Sequence, residues 1–221
     1  MIALDVVQGS PEWVDARLGI PTASGYDNIV TPAKLDYSKG AVKYLNHLLA
    51  EWLCGYPLDT GTGSAWMERG TQMEPEARRW YEMHRGVRVQ QVGFCLRDDR
   101  QTGCSPDGLV GEDGLVEIKC PSLEQHIAYM RNPKLLRADY RIQTQGELYI
   151  TEREWVDLVS YHPDFPRVIE RIEPEAPVQA ALHSALFQFI GELNEEKEKF
   201  GRWKMHGNEE PDLSEPVEVA A

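Results

Sequence analysis

The sequence predicts an α/β fold, with a mixed sheet over roughly residues 87–172 and helices before, between and after its strands. Three observations carry this. Capped helix starts dominate the first third, the apolar period changes from helical to alternating near Val87, and a long helical stripe follows Ile172.

The first helix opens at Ser10-Pro11-Glu12-Trp13, with Ser as N-cap and Pro at the first helical position, and runs to about Gly19. Pro21 stops it, and Thr22-Ala23-Ser24 caps a second short helix. Residues 31–40 form a polar loop. Ala41, Leu45, Leu48 and Trp52 then recur at helical spacing, and Cys54-Gly55-Tyr56-Pro57 ends that helix. A Gly/Thr-rich loop at 59–64 leads into a helix over about 64–85, which Pro75 is expected to interrupt.

The next elements are strands. Residues 87–90 and 92–96 read so, and Leu109-Val110 with Leu115–Lys119 reads as a hairpin around Gly111-Glu112-Asp113-Gly114. Ser122 with Gln125 makes a capping box for a helix through about Arg131. Residues 138–150 suit one more helix, and Trp155–Tyr161 and Val168–Ile172 two more strands. Val178, Leu182, Leu186, Phe189 and Leu193 form one apolar stripe on the last helix. With no linker to divide the chain, residues 1–205 are expected to be a single domain and 206–221 an acidic, flexible tail.

Composition narrows the class. At 42% hydrophobic residues there is material for a full core, which excludes a disordered chain. No apolar run approaches the roughly 18 residues of a membrane span, and the N-terminus has no basic leader, which argues against secretion. The four cysteines, Cys54, Cys95, Cys104 and Cys120, suit reduced thiols in a cytoplasm. A net charge of −13 argues against a protein that coats nucleic acid with a broad basic surface. It leaves room for a narrow basic track beside an acidic metal site.

Chemistry concentrates at Ser105-Pro106-Asp107-Gly108 and Glu117-Ile118-Lys119. Glu117 and Lys119 leave the same face of their strand. With a second carboxylate across the hairpin, they can hold Mg²⁺ and orient water against phosphate. A three-residue loop, Gly111 to Asp113, puts Asp107 directly opposite Glu117, whereas a two- or four-residue turn points it to the wrong face. Alternatively, Pro106 keeps Asp107 outside the regular strand and parity does not apply. A Pro-Asp-Gly turn and a strand ending in Glu and Lys are both common, so the surrounding sequence decides.

Five blocks follow one another in order. They are W-x3-R-L-G-x2-T-A-S from Trp13, R-G-x-Q-x-E-x2-A-R from Arg69, C-S-P-D-G-L from Cys104, V-E-I-K-C-P from Val116 and Q-T-Q-G-E-L-Y from Gln143. On these the chain resembles the phage lambda exonuclease family, the viral-recombinase branch of the PD-(D/E)xK nucleases, from Trp13 to about His162. The resemblance implies a restriction-endonuclease-like core, a central mixed β-sheet flanked by helices. It makes Asp107 and Glu117 the central metal-binding carboxylates and Lys119 the catalytic lysine. Glu74 becomes the helix-borne acid of a metal site, its geometry open because Pro75 follows it, and the Ile118 carbonyl a backbone ligand. Arg17, Ser24, Ser105 and Gln143 match positions that hold a terminal 5′-phosphate, and Trp13 an aromatic beside them. Gln145 and Tyr149 match a flanking Gln-x3-Tyr helix. An iron–sulfur cluster, as in some relatives of this nuclease class, is not expected, since Cys120 is the last cysteine and no Cys-x2-Cys pair exists.

The implied function is a Mg²⁺-dependent 5′-to-3′ exonuclease on double-stranded DNA. It would use two ions per site, with Mn²⁺ as a substitute. It would release 5′-mononucleotides from 5′-phosphate ends and leave 3′ overhangs. The family resemblance further implies a homotrimeric ring that hands the overhang to a single-strand annealing protein in phage recombination, in the cytoplasm of a bacterial host. Two alternatives remain: an endonuclease on the same core, and a non-catalytic DNA-end-binding protein.

Overall fold

The computed structural model describes residues 1–58 and 65–205. The Gly/Thr-rich loop at 59–64 and the acidic tail from 206 lie outside the described residues. The chain begins with β1 (Ile2–Leu4), α1 (Pro11–Arg17), a 3-10 helix (Ala23–Asn28), α2 (Ala41–Cys54) and α3 (Ala65–Arg85). Short strands follow: β2 (Val89–Gln90), β3 (Phe94–Leu96), β4 (Gly103–Cys104), β5 (Gly108–Val110) and β6 (Gly114–Lys119). Then come α4 (Leu123–Arg131), α5 (Pro133–Asp139), α6 (Arg141–Thr151), β7 (Trp155–Ser160), β8 (Val168–Ile172) and α7 (Ala176–Met205).

The strands form a five-stranded sheet in the order β2-β5-β6-β7-β8 and a three-stranded sheet in the order β1-β3-β4. Every pair is antiparallel except β6 and β7. Parallel neighbours need a crossover, and α4, α5 and α6 provide it. The α/β fold with a mixed sheet flanked by helices is therefore as expected. Strands 87–90 and 92–96 do form, as β2 and β3, but in two different sheets.

Parity on β6 distributes its side chains. Val116 and Ile118 pack with Ala77 and Tyr81 of α3, whereas Leu115 packs with Tyr129 and Leu136 of α4 and α5. Glu117 and Lys119 share the face of Leu115. The stripe of α7 is buried as expected, with Leu182, Leu186 and Phe189 joining Leu45 and Leu48 of α2 in one core. That core continues under the 3-10 helix, where Gly146 of α6 meets Tyr26. A Cβ on Gly146 would lie 2.6 Å from the Tyr26 ring, so only glycine permits this approach.

Three local expectations change. Pro75 does not interrupt its helix: α3 is continuous through it. A proline costs one i−4 hydrogen bond, and Tyr81 and Ala77, both fully buried, hold the following turns in place. The helix expected over 138–150 is two helices that meet at Tyr140 (φ −112°, ψ 15°). Asn132-Pro133 starts the earlier one, and the Asp139 carboxylate is engaged by Tyr129 and Gln125 rather than capping α6. Strand β1 was not expected, because three residues carry no readable period. The four cysteines form no disulfide, and Cys95 and Cys104 lie buried opposite each other on β3 and β4.

Candidate active site

The hairpin that carries the site pairs Gly108 with Val116 and Val110 with Gly114, leaving the three-residue loop Gly111–Asp113. Gly111 takes φ +57°, the left-handed turn residue such loops use. Continuing the register sets Asp107 against Glu117. Asp107 itself has left the strand, and its Oδ2 accepts from the Ile118 N–H at 2.6 Å. Both options for this end of the hairpin thus hold at once: the loop has three residues, and the Pro106-Asp107 step is irregular.

Glu117 is buried, and its Oε1 meets Lys119 Nζ at 2.7 Å. Its Oε2 is buried without a hydrogen-bond partner. Glu74, on α3, pairs with Arg78 one turn on. Burial pushes the Asp107 carboxyl well above the usual range, and the charges of Glu117 and Glu74 push it further. Burial also raises Glu74, against the pull of Arg78. For Lys119 burial acts downward, but Glu117, Asp107 and Glu147 outweigh it and hold the ammonium above its ordinary value. Lys119 is therefore a resident positive charge.

Gln143 joins this cluster. Its Nε2 donates to Glu117 Oε1 at 2.6 Å, and its Oε1 accepts from Lys119 at 3.1 Å. Glu147 also lies here, 1% exposed, accepting from Gln143 Nε2 at 3.0 Å. Burial, then the charge of Glu117, raises its carboxyl well above the usual range. Sequence reasoning missed Glu147. The available signal was its spacing of four from Gln143, which puts both on one side of a helix.

A second constellation adjoins the first. Ser105 Oγ accepts from Trp13 Nε1 at 2.9 Å and from Arg17 Nη1 at 3.0 Å. The Arg17 guanidinium lies 4.2 Å from the centre of the Trp13 ring. Ser10 caps α1 through the Trp13 N–H, which fixes the turn carrying Trp13 and Arg17. Ser24 is exposed at the start of the 3-10 helix, its Oγ 3.3 Å from Thr22 Oγ1, and makes no direct bond to Arg17 or Ser105. Of the residues expected at a phosphate pocket, Trp13, Arg17 and Ser105 converge, Ser24 stands apart, and Gln143 sits with the carboxylates. A cleft of about 970 Å³ runs past Trp13, Glu74, Arg78 and Asp107.

Gln145 and Tyr149 do not reach either group. Two residues along a helix is a turn of 200°, so both point away from the side of Gln143 and Glu147. Gln145 Oε1 accepts from Glu175 N and Gln179 Nε2, and its amide donates to Glu173 O. The Tyr149 hydroxyl meets His183 Nδ1 at 3.1 Å, with Arg97 over its ring.

Among the described residues, no three His, Cys, Asp or Glu side chains converge tightly enough to hold a metal by themselves. A hard cation nevertheless suits what is present. The donors are all oxygen, Glu117 Oε2 is an orphaned buried acceptor, and the carboxyl groups raise one another's affinity for positive charge. Mg²⁺ takes one or two carboxylates and completes its shell with water and substrate oxygens.

A mixed sheet with an acidic hairpin and a flanking lysine is the frame of a nuclease fold, and comparison with known proteins agrees. The crystal structure of an alkaline exonuclease (LHK-Exo) from Laribacter hongkongensis matches at 34% identity and a TM-score of 0.78, over 89% of this chain and 99% of that one. The same exonuclease in complex with dAMP matches at 33% identity and a TM-score of 0.78, over 89% of this chain and 99% of that one. A phage-related exonuclease from Haemophilus somnus 129PT, at 16% identity and a TM-score of 0.61 over 80% of this chain and 96% of that one, shares the fold. No curated protein sequence matches. Residues 12–154 match the YqaJ-like viral recombinase domain, and the chain belongs to that family. The resemblance to lambda exonuclease-like proteins is thereby borne out.

Proposed function

We propose that this protein is an exonuclease that digests the 5′-ended strand of linear duplex DNA with Mg²⁺. It releases 5′-mononucleotides and leaves 3′ single-stranded overhangs. One observation carries this: the segment Ser105–Asp107 serves both constellations, with Ser105 on Arg17 and Asp107 at the head of the carboxylate cluster. A strand terminus and the hydrolytic groups are thus tied to one short stretch of backbone. The similarity to an alkaline exonuclease that binds dAMP supports a nucleotide product.

Asp107, Glu117 and the Ile118 carbonyl would hold Mg²⁺, or Mn²⁺ in its place, and Glu74 would complete a second position once released from Arg78. Bound there, the ions would polarise the phosphodiester and lower the pKa of a bound water. Lys119 stabilises negative charge developing on phosphate oxygens, and Gln143 keeps its ammonium directed beside Glu117. Arg17 reads the terminal monoester, which near neutral pH carries up to about one more charge than a backbone diester. The Trp13 ring backs the guanidinium, and Ser105 offers a hydroxyl alongside. A homotrimeric ring, delivery of the overhang to a single-strand annealing protein, and action in the cytoplasm of a phage-bearing host complete the proposal, supported by membership of a viral recombinase family.

The deciding assay compares end-labelled linear duplex with closed circular duplex, in Mg²⁺ or EDTA. Digestion of the linear form from its 5′ ends, only with Mg²⁺, is the expected result. Cleavage of the circle would make it an endonuclease, and tight end binding without cleavage a non-catalytic protein.

A further inference from the structure

Glu147 belongs to neither the metal set nor the phosphate pocket, yet it is buried with its Oε2 lacking any hydrogen-bond partner. Burying a carboxyl with one oxygen unpaired costs stability that an apolar side chain would spare. Packing alone does not explain it. Its one polar contact in the cluster is Gln143, a single helical turn away.

The amide of Gln143 shows what that contact does. Its NH₂ faces two carboxyl oxygens, Glu117 Oε1 and Glu147 Oε1, while its oxygen faces the Lys119 ammonium. Rotating the amide by half a turn would set oxygen against two carboxyl groups and N–H against a cation. Glu147 takes up the second N–H, so the amide has one satisfied orientation. In that orientation it holds both Glu117 and Lys119.

We propose that Glu147 is a positioning residue: acting through Gln143, it fixes the Lys119 ammonium and the Glu117 carboxylate in the arrangement used for hydrolysis. This rests on the exonuclease function proposed above and adds a residue that touches neither DNA nor metal.

The test uses the full chain and 5′-phosphorylated linear duplex. It measures kcat, KM, affinity for the same DNA in Ca²⁺, and Tm. Glu147→Ala should lower kcat by about 10–100-fold, the usual cost of losing an outer partner of a metal site, with KM and Ca²⁺ affinity within about twofold. Glu147→Gln keeps the acceptor and the shape, and should recover kcat to within about fivefold. Because Glu147 works through Gln143, the Gln143→Ala/Glu147→Ala double variant should be no slower than Gln143→Ala. Wild-type kcat in Glu147→Ala, or a double variant that multiplies two losses, overturns the proposal. Should Glu147→Ala fail to fold, two variants still decide. Glu147→Gln at native Tm with a tenfold or greater loss of kcat, or Gln143→Ala at wild-type kcat, overturns it. A wild-type chain inactive on linear DNA overturns this proposal and the exonuclease function together, whereas the variant outcomes overturn this one alone.

Discussion

Asp107 is held beside Glu117 against their mutual repulsion, so removing Asp107 should not weaken the fold. Asp107→Ala and Glu117→Ala should each abolish cleavage, by about a thousandfold or more if metal binding supplies several kcal/mol of transition-state stabilisation. The Tm of Asp107→Ala should match or exceed wild type, because repulsion and burial both disfavour its carboxylate. Glu117→Ala instead leaves the buried Lys119 ammonium without its counter-charge and should lower Tm. A variant that still digests linear duplex near the wild-type rate would remove that residue from the site. Lys119→Ala should lose most activity while still binding DNA ends in Ca²⁺. At the neighbouring pocket, wild type should digest a 5′-phosphorylated end faster than a 5′-hydroxyl end. Arg17→Ala should narrow that preference, and Arg17→Lys should restore only part of it, since lysine cannot reproduce the planar fork. Initial rates on the two substrates measure this, and an unchanged preference in Arg17→Ala would dismiss the pocket. How legible these residues were follows from their setting. Asp107, Glu117 and Lys119 could be found because strand parity and loop length fix where they point. Glu147 was missed because an acidic residue on an amphipathic helix ordinarily belongs to the solvated side, and only its spacing of four from Gln143 pointed the other way.

Helix α6 connects the site to the rest of the fold, and Gly146 lets it approach Tyr26 closely. Gly146→Ala should destabilise by roughly 1–3 kcal/mol through overpacking, which outweighs the better helix propensity of alanine. Thermal unfolding measures it, and an unchanged or raised Tm would show that the 3-10 helix can yield. The long elements were visible in the sequence: α2, α7, β7 and β8 each carry a sustained period. Strands of two or three residues such as β1 and β4 have no period to detect, and the division of the short strands between two sheets depends on pairing partners far along the chain. The break at Tyr140 was hidden for a different reason, since Tyr129 and Gln125 claim Asp139 only after α4 and α5 have packed.

For the molecule as a whole, the acidic cluster couples stability to pH and to cations. Asp107, Glu147 and Glu74 all have folded-state pKa values raised, chiefly by burial. A raised carboxyl favours folding fully below its unfolded pKa, about 4, and loses that contribution as pH climbs through the folded value. Without metal these carboxyls should therefore leave the protein less stable at a higher pH than at about pH 4. Mg²⁺ or Ca²⁺ should raise Tm more at the higher pH, and Asp107→Asn should flatten both trends. Scans in EDTA and in either ion check this; a metal effect independent of pH would separate cation binding from these carboxyls. Glu175 has the opposite sign, because Arg141 and Arg137 hold it below the usual range, so its contribution fades only as pH falls.

Gln145 occupies the reverse side of α6, where it ties that helix to Glu173, Glu175 and Gln179. Its partners set the angle at which the opposite side presents Gln143 and Glu147 to Lys119. A genetic screen for inactive mutants would therefore collect substitutions at 143, 145 and 147 alike, and phenotype alone would assign all three to the chemistry. Melting temperature separates them: Gln145→Ala should lose activity together with Tm, whereas Gln143→Ala should lose activity without it.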